Sequence, residues 1–116
     1  FLLTRYLLPL LQAAPAASII FTSSGVGRSG RAFWGAYSVS KFATEGFMQV
    51  LADELENTAR VRVNCINPGA TNTAMRRAAY PAEQPDTNPS PEDLMGLYLY
   101  LMGPDSVENG VSFNAQ

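Results

Sequence analysis

The amino-acid sequence predicts an α/β fold in which parallel strands alternate with helices. Short apolar runs rich in β-branched residues stand at 17–22 and 61–66, and a long segment with helical apolar spacing lies between them. This alternation is typical of right-handed β-α-β crossovers in a parallel sheet. A chain of 116 residues is long enough for one domain with a single modest core.

The first segment, about 1–12, is predicted to be the end of an amphipathic helix that Pro9 bends or tightens and Pro15 closes. A secretory signal peptide is the alternative, since Arg5, a leucine-rich stretch and an Ala-Pro-Ala-Ala run resemble its three regions. Interruptions by polar residues and prolines argue against a signal peptide and a membrane span. We expect the chain to begin inside a helix of a longer protein. The residues at helical spacing are Leu3, Tyr6, Leu7, Leu10 and Leu11.

The middle of the chain predicts a strand, a helix and a second strand. Residues 17–22 indicate a buried strand, and the helix is expected from about Gly35 to Asn57. Val61 to Ile66 form the second predicted strand, which Pro68-Gly69 ends. The apolar stripe expected to face the core from the helix consists of Val39, Ala43, Phe47, Val50 and Leu51.

The last third predicts a loop, a helix and a short strand. Residues 71–90 contain three prolines and many small polar residues, which favours a long irregular loop of functional importance. Ser90-Pro91-Glu92-Asp93 has the pattern of a helix start, and Gly103-Pro104 ends the predicted helix. A strand is expected at about 111–113, after the turn at Asn109-Gly110.

The composition restricts the chemistry. Eight basic against ten acidic residues leave no basic excess, so no nucleic-acid partner is expected. The chain has no histidine, and its one cysteine, Cys65, excludes an internal disulfide and a multi-cysteine zinc site. We therefore expect no metal, a buried core position for Cys65, and acid-base chemistry by another side chain.

The stretch "TSSGVGRSG" at 22–30 has the G-x-G-x-x-G spacing of a dinucleotide-binding loop in Gly25, Gly27 and Gly30. Such a loop should lead directly into a helix, and an acidic residue should end the next strand about 20 residues on. Neither condition is met, because that position falls in the helical "VLADELE". The spacing alone is a weak signal, and we favour a different role for this loop.

The stretch "GAYSVSK" places Tyr37 and Lys41, the only lysine, on one helix face. A phenol has a pKa of about 10, so it needs a nearby cation to exchange protons near neutral pH. Ser24 follows the first predicted strand and can bring a hydroxyl to the same place, where two donors would stabilise a developing alkoxide. An incidental polar pair and ordinary turn chemistry are the alternatives.

The segments "TSSGVG", "YSVSK" and "VRVNCINPGATNT" resemble the C-terminal half of a short-chain dehydrogenase/reductase, and the match covers essentially the whole chain. The resemblance implies a three-layer, Rossmann-like, doubly wound parallel sheet of which only the C-terminal part is present. The family's glycine-rich cofactor loop and its catalytic asparagine would precede Phe1. We therefore expect residues 1–116 to be part of one oxidoreductase domain, and the isolated polypeptide to be inactive.

The resemblance also implies roles for individual residues. Tyr37 would donate or accept the proton, Ser24 would hold the substrate carbonyl, and Lys41 would assist Tyr37 and bind the nicotinamide ribose. The Pro68-Gly69 turn would pack against the nicotinamide of the cofactor, NAD or NADP, and the backbone at Ala70 and Thr71 with the Thr73 hydroxyl would bind its carboxamide or phosphate. Residues 74–90 match the variable substrate loop, in which Met75, Arg76, Arg77 and Tyr80 are candidates to face the substrate.

The implied function is an NAD(P)-dependent oxidoreductase of the carbonyl reductase or alcohol dehydrogenase type. It would be a cytoplasmic homodimer or homotetramer that acts on small carbonyl or alcohol substrates. A non-catalytic member that uses its first two helices for association is the alternative, with Leu3, Leu7, Phe47 and Leu51 at the interface. A small independent domain that only mimics the motifs is a third interpretation, disfavoured because its sheet would have an unpaired edge.

Overall fold

The computed structural model describes residues 1–58 and 60–116. Short 3₁₀ turns at Gly25–Gly27, Glu56–Thr58, Pro85–Thr87 and Glu92–Leu94 join longer elements. Helices and strands alternate along most of the chain, as the sequence predicts. In chain order the longer elements are α1 (Leu2–Ala13), β1 (Ala17–Thr22), α2 (Gly35–Leu55), β2 (Val61–Asn67), α3 (Ala74–Ala79), α4 (Met95–Met102) and β3 (Ser112–Asn114).

The three strands form one sheet in the order β1-β2-β3, and both pairs are parallel. Ala17 lies opposite Val61 and Thr22 opposite Ile66, so β1 and β2 end side by side. β3 pairs with the last three residues of β2, with Cys65 opposite Ser112 and Asn67 opposite Asn114. The predicted parallel α/β arrangement is confirmed, and the carboxyl ends of all three strands meet at one edge of the sheet.

Helices cover both faces of the sheet, which gives three layers. Leu51 and Leu55 of α2 pack on Val61 and Val63 of β2, and α1 adds Leu11 to the same core. On the other face, Leu101 of α4 is fully buried, and its carbonyl accepts a hydrogen bond of 2.8 Å from the Ser18 hydroxyl. Among the described helices, none combines the length and the apolarity that a membrane span requires.

The two longer strands differ in burial, which corrects one prediction. β2 has five fully buried residues of seven, whereas no residue of β1 is fully buried. The reason is position, since β2 lies between two neighbours and β1 lies at the edge of the sheet. The apolar run at 17–22 correctly predicts a strand but not its degree of burial.

The predicted apolar stripe of α2 is largely wrong. Val39 and Val50 are 70% and 56% exposed, and Ala43 is also exposed, while Leu51 lies in the core and Phe47 is half-buried. The face that packs on the fold is instead Ser38, Glu45, Met48, Leu51, Ala52 and Leu55. Apolar residues occur on two sides of this helix, so spacing alone cannot identify the packed side.

The segment 71–90 is more ordered than predicted. Thr73 caps α3 by accepting a hydrogen bond from the Arg76 backbone N–H at 3.2 Å. The expected helix start at Ser90 is present: the Asp93 carboxylate accepts hydrogen bonds from the Ser90 N–H and hydroxyl, both at 2.8 Å. The first turn there is 3₁₀, and the α-helix begins at Met95.

Candidate active site

A cleft of about 1060 Å³ opens at the carboxyl ends of the strands. Its walls come from the loop after β1, the first turns of α2, the turn after β2, and the segments around α3 and α4. The structure brings all of the predicted site residues to this one cleft. They are Ser24, Tyr37, Lys41, Pro68, Gly69, Thr71 and Thr73.

The loop that carries Ser24 is held against the ends of β2 and α2. The Ser23 N–H donates to the Ile66 carbonyl at 2.7 Å, and the buried Ser38 hydroxyl donates to the Val26 carbonyl at 2.7 Å. A Cβ on Gly27 would lie 2.9 Å from the Lys41 carbonyl oxygen, so the close approach of loop and helix requires glycine there. The glycines therefore serve packing, and the next α-helix begins only at Gly35.

Tyr37 and Lys41 lie one turn apart near the start of α2. The Lys41 ammonium nitrogen is 5.5 Å from the centre of the Tyr37 ring and donates to the Thr22 carbonyl at 2.9 Å. This bond fixes the cation between the end of β1 and the phenol. Tyr37 remains 37% exposed, so its ring borders the open cleft.

A charged pair beneath the loop was not predicted from the sequence. The Arg28 guanidinium donates to the Glu45 carboxylate at 3.1 Å, to the Asn114 side-chain oxygen at 2.9 Å and to the Phe113 carbonyl at 3.0 Å. The Ser112 hydroxyl also donates to Glu45, which is only 5% exposed. The network ties the Ser24 loop to α2 and to β3.

The ionisation of Glu45 follows from these contacts. Burial is the largest influence and opposes the charged form, but polar contacts with Ser112 and Ser23 and the hydrogen bond and charge of Arg28 together outweigh it. The pKa of Glu45 therefore lies below that of an ordinary glutamate. Glu45 is the one charged residue on the packed face of α2, and a carboxylate in such a position is the sequence signal that indicates a pair of this kind.

Gly69 forms the turn after β2 with a φ of +74°, a conformation that favours glycine. The Gly69 N–H donates to the Asn67 side-chain oxygen at 3.1 Å, and Thr71 donates its hydroxyl to the Gly69 carbonyl at 3.3 Å. The Gln116 amide donates to the Pro68 and Ala70 carbonyls at 2.5 and 3.0 Å. The turn is thus a rigid part of the cleft wall.

Cys65 is a core residue, as predicted. Its side chain is fully buried in β2 among the apolar residues that pack on α2. Burial is the main cause that raises the pKa of its thiol to about 12, and the nearby Glu45 charge adds to it. The thiol therefore stays protonated and unreactive in the folded protein.

Aromatic and basic side chains form the opposite wall of the cleft. The Trp34 ring lies 5.7 Å from the Tyr37 ring, edge to face, and 6.1 Å from the Tyr80 ring. Three of the four loop candidates, Met75, Arg76 and Tyr80, line the cleft. Arg77 is absent from the lining and donates to the Asn72 side-chain oxygen at 2.7 Å.

A parallel sheet covered by helices on both faces, with a cleft at its strand ends, defines a doubly wound, Rossmann-like α/β protein. A family model described as short chain dehydrogenase matches residues 1–84. The chain belongs to this family, so the resemblance noted from its motifs is confirmed.

Relatives from several bacteria extend the match to the whole chain. The uncharacterized oxidoreductase YciK of Escherichia coli is 61% identical over 117 residues, which cover 100% of this chain and 46% of YciK. A short chain dehydrogenase from Pseudomonas syringae is 68% identical with a TM-score of 0.96, covering 100% of this chain and 47% of that one. An Escherichia coli short chain dehydrogenase solved with NADPH is 61% identical with a TM-score of 0.95, covering 100% and 48%.

The chain therefore spans about half the length of the relatives it matches. YciK is named an oxidoreductase and the two solved relatives are named short chain dehydrogenases, and the fold of the matching portion of these structures is that of this chain.

Proposed function

We propose that the protein to which this chain belongs is an NAD(P)-dependent oxidoreductase that interconverts a carbonyl compound and an alcohol. The observation that carries the proposal is the convergence of Ser24, Tyr37 and Lys41 on one cleft. In reduction, the C=O π bond breaks as hydride adds to the carbonyl carbon and the oxygen takes a proton from the Tyr37 hydroxyl. The oxidation of an alcohol follows the same path in reverse.

Each of the three side chains has a distinct role in this proposal. Tyr37 holds the transferred proton at its phenolic oxygen, and the Lys41 ammonium, 5.5 Å from the centre of the Tyr37 ring, places a positive charge near it. Ser24 donates its hydroxyl to the substrate oxygen, so that two hydroxyl groups stabilise the developing alkoxide. In a chain without histidine, Tyr37 is the best placed acid-base group in the cleft.

The residues of the cleft fit the nicotinamide and ribose end of a dinucleotide, which supplies or accepts the hydride when bound. An ammonium group has three donors, and Lys41 uses one of them on Thr22, so two remain for ribose hydroxyls. The fixed turn of Pro68 and Gly69 offers a surface for the ring, and Thr71 offers its backbone, since its hydroxyl donates to Gly69. The Thr73 hydroxyl accepts a hydrogen bond as the cap of α3 and keeps its own proton for a bond to the cofactor.

NADP is the proposed cofactor because a relative 61% identical to this chain was solved with NADPH. The chain carries the proton-transfer part of the domain, and we propose that the remaining half of the full-length protein binds the adenine and pyrophosphate. This proposal rests on the half-length match to the relatives.

The test is a coenzyme-dependent assay of the full-length protein that contains this chain. We expect carbonyl-dependent oxidation of NADPH, and a weaker response or none with NADH. Binding of NADPH should be measured separately by titration. Bound NADPH without turnover on any carbonyl would favour a non-catalytic member, and no binding of either coenzyme would overturn the proposal.

Association through α1 and α2 is a second proposal, supported by a large apolar surface. Leu3 and Tyr6 of α1 are 71% and 76% exposed, and Val39, Phe42 and Val50 of α2 are also exposed. We propose that a second copy of the full-length protein covers this surface. Leu51, expected at that interface, belongs to the core instead. Light scattering of wild type and Phe42→Ser tests this, and a monomeric wild type would contradict it.

A further inference from the structure

We propose that the substrate side of the cleft selects an uncharged aryl aldehyde or ketone. This inference rests on the proposed oxidoreductase function and adds the substrate class to it. It is carried by Trp34, Tyr80 and the side chains that hold them, which we call the aryl wall.

The aryl wall stands directly beside the proposed proton donor. The Trp34 ring meets the Tyr37 ring at 5.7 Å with an interplanar angle of 66°, and the Tyr80 ring is 6.1 Å from the Trp34 ring. A substituent of a carbonyl held at the Tyr37 hydroxyl can therefore reach these rings, which line the same cleft. Aromatic rings favour edge-to-face and offset contacts with other aromatic rings, beyond the area they bury.

The Tyr80 ring is held in place by the neighbouring Arg76 side chain. The Arg76 guanidinium lies 3.7 Å from the centre of the Tyr80 ring and forms two hydrogen bonds of 2.7 Å to the Glu83 carboxylate. Glu83 also accepts a hydrogen bond of 2.9 Å from the Asn88 amide. These contacts orient the ring, so that less side-chain conformational entropy is lost when a substrate packs on it.

The charges around the wall disfavour a cationic substrate and leave Arg76 without a free charge for an anionic one. The charge of Arg76 is compensated by Glu83, and Arg31 lies over the Trp34 ring at 5.5 Å from its centre. No Asp or Glu is present in the described lining of the cleft that would bind a cationic substrate. The rest of the substrate side is mainly apolar, with Met75, Ala79, Pro91, Leu94, Met95 and Tyr98.

The experiment compares matched aldehydes in the full-length protein with NADPH. Benzaldehyde and cyclohexanecarbaldehyde have similar size, but only the first has an aromatic ring. We expect kcat/KM for benzaldehyde to be higher by about three- to tenfold, the range that one aromatic pair supports.

Trp34→Leu should remove this preference and Trp34→Phe should keep most of it. Phe33→Leu, at a fully exposed ring on the same loop, is the matched control and should leave the ratio unchanged.

A binding measurement keeps the test independent of turnover. Trp34 is the only tryptophan of this chain, so the fluorescence signal that Trp34→Phe removes reports on the aryl wall. We expect benzyl alcohol to change this signal at about three- to tenfold lower concentration than cyclohexylmethanol.

The outcomes separate this inference from the proposed function. Reduction of both aldehydes at equal kcat/KM, with no effect of Trp34→Leu, would overturn the aryl inference and leave the oxidoreductase proposal standing. A preference for 4-carboxybenzaldehyde over benzaldehyde would also overturn it, since Arg31 would then recognise an anion. A protein without turnover whose fluorescence signal does not distinguish the two alcohols would contradict both proposals.

Discussion

The two sides of the cleft are built differently. On the side of Ser24, Tyr37 and Lys41, the loop after β1 is held by a buried carboxylate, by backbone hydrogen bonds to β2 and by close packing on α2. On the side of Tyr80, the contacts that hold the ring are local, since Arg76 and Glu83 are only seven residues apart and both are partly exposed.

This difference indicates a division of labour. Groups that move a proton need fixed geometry, which the core of the fold supplies. Residues that select a substrate tolerate amino-acid substitution. A surface segment that is held by its own side chains can change in sequence without disturbing the sheet. Changes on the first side should therefore affect turnover or stability for any substrate, and changes on the second side should affect selectivity.

After the loss of the Tyr37 hydroxyl, the largest effect is expected for Ser24→Ala in the full-length protein. Loss of one of two donors to the substrate oxygen should lower kcat by about 10²- to 10³-fold for every carbonyl tested. NADPH affinity should stay within error of the wild type. Ser29→Ala, an exposed serine of the same loop, is the control and should retain wild-type turnover. A Ser24→Ala variant that loses activity on one substrate only would contradict the proposed separation between a proton-transfer side and a substrate-selecting side of the cleft.

The next effect is on stability. Glu45→Ala leaves Arg28 without its carboxylate and Ser112 without its acceptor, and should lower the free energy of unfolding by about 2 to 3 kcal/mol. The value lies at the low end for buried pairs because the Arg28 side chain is 31% exposed and gains water. Glu54→Ala, exposed on the same helix, is the control in urea unfolding of the full-length protein. Equal stability of the two variants would contradict the structural role of Glu45.

The same pair predicts a pH dependence. Because the pKa of Glu45 is lower in the folded state, its contribution to stability is fully present above the ordinary value of 4.5 and is lost as the pH falls through the folded value. The stability difference between wild type and Glu45→Gln should therefore be constant from pH 7 to about pH 5 and shrink at lower pH. Unfolding curves across this range check it, and a difference that grows on acidification would have the wrong sign.

The smallest effect on stability is expected on the other side of the cleft. Glu83→Gln removes the charge that neutralises Arg76 but keeps an acceptor, and exposed ion pairs contribute little to stability. The unfolding midpoint should not change measurably, while the preference for benzaldehyde should fall because Tyr80 is less well braced. A large loss of stability would show that this segment belongs to the structural core.

The sequence predicts the sheet well because its signals are local. The apolar runs before Thr22 and Asn67 and the turn at Pro68-Gly69 set β1 and β2 to within a residue at their ends. β1 is less buried than predicted because, in this chain, it has a neighbouring strand on one side only. α3 was missed because its six residues, AMRRAA, carry no apolar period.

The sequence also predicts those site residues that stand in short local motifs. Ser24, Tyr37 and Lys41 stand in short motifs, and the structure brings them to one cleft. Glu45 could not be assigned a partner from the sequence, because its contacts to Arg28 and Ser112 span 17 and 67 residues. Trp34 lies close to Tyr37 in the chain, but its pairing with Tyr80 depends on the fold of 71–90.

The central claim is that Tyr37 transfers the proton, and Tyr37→Phe in the full-length protein tests it most directly. We expect kcat with NADPH and a carbonyl substrate to fall by about 10²- to 10⁴-fold, while NADPH binding by titration stays within a few-fold of the wild type. Tyr100→Phe, which lies outside the cleft lining, is the matched control and should keep wild-type turnover. Undiminished turnover by Tyr37→Phe would contradict the claim.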